Sequence, residues 1–143
     1  MRVIWDSTYN YGGWGKGIGK NFDLDPASDY MNFRIYCPKS NGGEECLKVM
    51  LEEDDNNDGI LQQDQDDSWF YRVKITPKDE WQFISIPVKD FSDGNPGGDS
   101  TINITRKGGL HTVIFSFEQT EQFRKNYKWY FDFICFTNGK PNY

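Results

Sequence analysis

The chain's 143 residues suffice for one domain around a single two-layer core, and 22 acidic against 16 basic residues leave a formal charge of −6. That balance repels nucleic-acid phosphates and anionic membrane surfaces, so a neutral ligand or a cation suits the chain better. One histidine, His111, and the lack of a Ser/His/Asp or Cys/His pattern remove most nucleophilic mechanisms, while an aromatic share of 17% rules out a disordered chain.

In chain order, short apolar, β-branched and aromatic runs alternate with Gly, Pro, Asn and Asp clusters, and no helical period of useful length interrupts them. The runs predict strands over Arg2–Asp6, Gly17–Phe22, Tyr30–Cys37, Cys46–Glu52, Trp69–Thr76, Trp81–Pro87, Leu110–Phe117 and Lys128–Phe136. So many short strands point to an all-β fold, a jelly-roll β-sandwich of two antiparallel sheets, filling residues 1–143 as a single domain. No apolar run reaches the ~18–20 residues that span a bilayer, so membrane insertion is not expected.

Between the strands, Ser7 to Lys20 carries Tyr9, Tyr11, Trp14 and five glycines and reads as an aromatic loop that a core does not need. Asp54 to Asp67 forms an acidic loop, and Phe91 to Arg106 a Gly-, Asp- and Ser-rich connection. Side chains alternate across a strand, which assigns Met31, Phe33 and Ile35, Leu47, Val49 and Leu51, Val113, Phe115 and Phe117, and Ile134 with Phe136 to the core. The same count turns Arg34, Tyr36, Lys48, Glu52 and Glu118 outward, and strand context sends Trp5 and Trp81 inward. Cys37 and Cys46 flank a short turn and could close a hairpin disulfide or remain thiols.

The segment Asp54-Asp55-Asn56-Asn57-Asp58-Gly59-Ile60-Leu61 has the alternating oxygen donors, turn glycine and apolar eighth position of a calcium loop, with Asp54, Asn56 and Asp58 as ligands. Gln65 stands where that pattern needs a bidentate Glu, and the stretch also reads as an ordinary turn.

Three stretches carry a family resemblance. Asp23-Leu24-Asp25-Pro26-Ala27-Ser28-Asp29-Tyr30 leading into the strand to Tyr36, Trp81-Gln82-Phe83-Ile84-Ser85-Ile86-Pro87-Val88-Lys89-Asp90-Phe91, and Tyr130-Phe131-Asp132-Phe133-Ile134-Cys135-Phe136 occur in the order found in galactose-binding-like sandwiches of the carbohydrate-binding type. Together they resemble family 11 carbohydrate-binding modules, with a composition similar to modules in xylan- and glucan-degrading proteins of gut bacteria. The resemblance implies binding of a plant polysaccharide, xylan or β-glucan, without chemistry. It also implies a structural calcium near Asp132, with Asp6 as a conceivable partner. A glycan binder of this kind works outside the cell or on its surface. Because no leader precedes Met1, a monomeric module of a larger exported protein beside a glycoside hydrolase or glycan-capture unit is expected.

A pyranose offers apolar C–H faces and hydroxyl edges, so outward rings and flanking polar groups are the candidate contacts. The rings are Trp14, Tyr11, Tyr36, Trp69, Tyr71 and Trp129, and the polar partners Arg34, Lys48, Glu52, Arg72 and Glu118. Two other readings use the same residues. Glu52 and Glu118 could act as a glycoside-hydrolase pair, or the rings could recognise a protein in an adhesion or scaffolding role.

Overall fold

The computed structural model describes residues 2–5, 11–103, 108–118 and 127–142. Its strands are β1 (Arg2–Trp5), β2 (Tyr11–Phe22), β3 (Asp29–Tyr36), β4 (Glu45–Glu53), β5 (Ser68–Ile75), β6 (Trp81–Pro87), β7 (Ser92–Asp93), β8 (Leu110–Glu118) and β9 (Tyr127–Asn138). A four-stranded sheet in the order β1-β9-β3-β6 packs on a five-stranded sheet in the order β2-β8-β4-β5-β7. Every pairing is antiparallel, as the jelly-roll expectation required.

The alternation places one face of each sheet inside. Met31, Phe33 and Ile35 of β3 meet Leu47, Val49 and Leu51 of β4 and Val113, Phe115 and Phe117 of β8, all buried. Rings dominate the centre: Phe33 meets Phe115 edge-on at 5.1 Å, and Phe115 lies 4.8 Å from Phe131. Burying each such ring stabilises the fold by roughly 1.5–3 kcal/mol.

Three local readings are corrected, and the open choice at Cys37 and Cys46 falls to the thiols. The glycine-rich stretch read as a loop is most of β2, paired with β8 from Tyr11↔Glu118 to Gly17↔Thr112. Glycine weakens a strand's own preference, but a complete partner strand supplies the ladder, and Trp14 opposite Phe115 supplies the core anchor. Ile134 faces out, 37% exposed, because β9 is bulged. Arg34 pairs with Asp132 but Asn32 pairs with Cys135, so Phe133 and Ile134 together oppose Phe33. Phe133 takes φ +54°, and the extra residue shifts the phase of every side chain beyond it. Trp81 is 49% exposed, since it opens the edge strand β6 opposite the outward Tyr36. No disulfide joins Cys37 and Cys46: Cys37 is buried just past β3 and Cys46 lies on β4, so the strands they adjoin belong to different sheets.

Candidate functional site

The outer face of the five-stranded sheet collects most of the polar residues singled out above. Register sets Arg72 opposite Lys48 and Lys48 opposite Ser116 in one row, and Phe70, Met50 and Ile114 in the next. Glu52 follows between Ser68 and Thr112. Lys48 Nζ stands 5.0 Å and the Arg72 guanidinium 4.6 Å from the Phe70 ring centroid, so this ring is flanked by two cations. On β2 the same face is lined by Gly13, Gly15 and Gly17. A Cβ on Gly15 would come within 3.1 Å of Ile114 Cγ1, and these glycines leave the sheet low on that side.

At the other end of the face the acidic loop and the chain after β7 rise to flank an open groove of about 460 Å³. Its floor is Lys48, Met50 and Glu52, and its walls include Leu61, Gln63 and Asn95. Asn95 fixes this wall: its side-chain amide donates to the carbonyls of Gln63 and Asp66, and its oxygen accepts from the Ser68 N–H at 2.6 Å. Burial raises the Glu52 carboxyl above the ordinary range, partly opposed by the charge of His111. The groove therefore sets amide, ammonium and carboxyl groups beside apolar Met50 and Leu61, with the acids Glu52, Glu53, Asp66 and Asp67 outnumbering the cation Lys48.

The aromatic candidates distribute otherwise. Trp129 (1% exposed) and Trp69 (7%) are core residues, and Trp14 and Tyr71 are partly buried against that core. Alternation explains it: Trp69 and Tyr71 share the inward phase of β5, and Trp14 stacks 6.1 Å from Phe115 at 26°. The expected platform of Trp14, Trp69, Tyr71 and Trp129 on the outside is thus corrected to a second ring of core packing. Tyr36 and Arg34 lie on the outer face of the four-stranded sheet, away from Lys48, Glu52 and Arg72. Tyr11 and Glu118 are register partners at the end of the row that holds Cys46 and Lys74, and their side chains lie outside those described. Phe70 was missed, and Met50, which the alternation turns outward with Lys48 and Glu52, was not counted among the contacts.

For a metal, the calcium-loop residues fold into turns. Asp54 accepts from the N–H groups of Asp58 and Gly59, Asn56 from Asp58, and Asp58 from Ile60. The carboxylates that converge are instead Glu53, Asp55 and Asp67, with one oxygen from each within 4.8 Å of the others. Glu53 is fully buried and accepts from the Trp69 indole N–H at 2.6 Å and from the Asn103 N–H at 2.8 Å. Its carboxyl is pushed up to about 8, chiefly by burial, and that of Asp55 to about 6, by burial and the neighbouring Asp67. Asp67 is raised as well, again by burial first. An all-oxygen set of three acids, repelling one another out of water, fits a hard divalent cation such as calcium. Asp132 is exposed on the opposite side of the molecule, and Asp6 lies outside the described residues.

No protein-family model matches the chain, and no curated protein matches it. Among solved structures, a family 11 carbohydrate-binding module from Clostridium thermocellum in complex with a β-1,3-1,4-mixed-linked tetrasaccharide superposes at TM-score 0.54 and 16% identity, over 96% of this chain and 95% of that one. The fold is that of carbohydrate-binding modules. A family 30 module of a cellulosomal cellulase of Clostridium thermocellum superposes at TM-score 0.54 and 15% identity, over 96% of this chain and 74% of the other. An agarase matches at TM-score 0.60 and 8% identity, covering 98% of this chain but 20% of its own, so there the fold is one part of a long chain.

Proposed function

We propose that the chain binds a neutral plant cell-wall polysaccharide, β-glucan before xylan, without chemistry, in the groove on the outer face of the five-stranded sheet. The observation that carries this reading is the 460 Å³ groove continuing the outward row Lys48, Met50 and Glu52. A pyranose lodged there would lay its C–H faces on Met50 and Leu61 and turn its hydroxyls to Lys48, Glu52, Gln63 and Asn95. Binding of this kind leans on hydrogen bonds more than on stacking. β-Glucan is preferred because the family 11 neighbour was solved with a mixed-linked tetrasaccharide. The agarase supports the reading as one module of a larger protein, and in this reading that protein is exported, working outside the cell or on its surface, with the module acting as a monomer.

A hydrolase reading asks for two carboxylates roughly 5–10 Å apart. Glu52 sits opposite Thr112, six residues along β8 from Glu118, which separates the two backbones by about 20 Å at ~3.4 Å per residue. Affinity electrophoresis in gels of mixed-linkage β-glucan and of xylan tests the proposal. Retardation is expected with β-glucan, weakened by Glu52→Gln and Lys48→Ala. Absence of retardation in both gels, or new reducing ends after incubation, overturns it.

The same reading assigns structural calcium to Glu53, Asp55 and Asp67, where it would tie the loop after β4 to the start of β5. A melting temperature that rises with calcium and falls with chelator supports it, and one indifferent to both rejects it.

A further inference from the structure

The outer face of the four-stranded sheet remains unused by this function, and it is the more aromatic of the two. Register lines up Arg2, Tyr130, Tyr36 and Trp81 in one row across β1, β9, β3 and β6. Tyr36 lies 5.8 Å from Trp81 and 5.7 Å from Tyr130 between ring centroids. The rings are tilted by 59° and 82°, so they form a twisted track and not a flat plate. Of the exposed large hydrophobic residues, Trp81, Phe133 and Ile134 all stand on this sheet. Phe133 is held there at φ +54°, a conformation that bulky residues rarely adopt. The bulge that turns both Phe133 and Ile134 outward is thus maintained against local preference.

Two guanidinium groups complete the face. Arg34 lies over the Phe133 ring and Arg2 over the Tyr130 ring, each 5.9 Å from the centroid. Among the described residues no carboxylate stands within ion-pair distance of either, Asp132 on β9 beside Arg34 included. Both forks therefore keep their N–H edges for a planar anion. Lys128, exposed on β9, adds a third positive charge to one face of a chain whose net charge is −6.

We propose that this face is a second glycan-binding surface, distinct from the groove of the five-stranded sheet, and that its ligand is a carboxylate-bearing polysaccharide built of uronic acid residues. The Trp81, Tyr36 and Tyr130 rings take successive sugar faces along a twisting chain, and Arg34 and Arg2 take the carboxylates in bidentate fashion.

Affinity electrophoresis with polygalacturonate at low salt tests it, with neutral mixed-linkage β-glucan as a separate gel that reports on the other face. Polygalacturonate should retard the wild type, and Trp81→Ala and Arg34→Gln should each weaken that retention about tenfold. Added salt should weaken it too, because the charge pairs are exposed. Melting curves of both variants establish that they are folded, and a chemical-shift titration of the Trp81 indole N–H in the wild type reads the contact without any substitution. No retardation by polygalacturonate overturns the proposal, as does retardation that both variants keep. Self-association of the wild type that Trp81→Ala abolishes would assign the face to a second copy of the chain and overturn it equally.

Discussion

The two outer faces of the sandwich obey the same alternation yet use it oppositely. On the five-stranded sheet the outward phase carries Lys48, Met50, Glu52, Phe70 and Arg72, bordered by glycines on one side and by long loops on the other. On the four-stranded sheet it carries Trp81, Tyr36, Tyr130 and Arg34. Depth on the first face comes from loops and missing side chains, and chemistry on the second comes from rings. A polysaccharide can be held in either way, by hydroxyl edges in a groove or by C–H faces on a track.

The largest effects should come from the layer both faces share. Phe115→Ala, at the centre of the ring cluster, is expected to cost about 3–5 kcal/mol in urea unfolding and to disable both faces together. Trp14→Ala should behave as a milder version of the same lesion, lowering stability by about 2–3 kcal/mol while the folded fraction keeps its β-glucan affinity. A selective loss of glycan binding in Trp14→Ala with unchanged stability would return that residue to the ligand surface.

Next in size is Trp69→Phe, which removes the indole donor from the buried Glu53 and should cost about 1–3 kcal/mol. The acid that loses this donor also governs pH dependence. A carboxyl raised to about 8 in the folded chain binds a proton that the unfolded chain has already released at neutral pH. Its contribution to stability is therefore complete below its ordinary value of 4.5 and is lost as pH rises toward 8. Without divalent cations, the melting temperature should fall between pH 5 and pH 8, and calcium should flatten that slope by substituting for the proton. The smallest expected effect separates the two faces most finely: Phe133→Gly relieves the positive φ and should change stability by about 1 kcal/mol or less, with the lost ring offsetting the relief.

Fold class was legible because period-two alternation is dense in β3, β4 and β8, where each inward residue could be named without a partner strand. The errors lie where that count is interrupted. A single inserted residue at Phe133 reverses the phase of Ile134, and the sequence carries no glycine to announce it. Glycines in β2 imitate a loop, since the strand's order comes from β8 and not from its own residues. The site was half legible. Lys48, Glu52 and Arg72 follow from alternation, whereas Trp14, Trp69 and Trp129 were expected outside because ring exposure depends on what fills the opposite sheet. The convergence of Glu53, Asp55 and Asp67 was out of reach, because it arises from the close of one loop on another.

The groove account is tested most directly by the affinity for mixed-linkage β-glucan, measured calorimetrically for wild type, Glu52→Gln and Trp81→Ala. The account predicts binding weakened about tenfold by Glu52→Gln and unchanged by Trp81→Ala. Neutral glucan binding that vanishes with Trp81→Ala and survives Glu52→Gln would contradict it, moving the principal site to the opposite sheet.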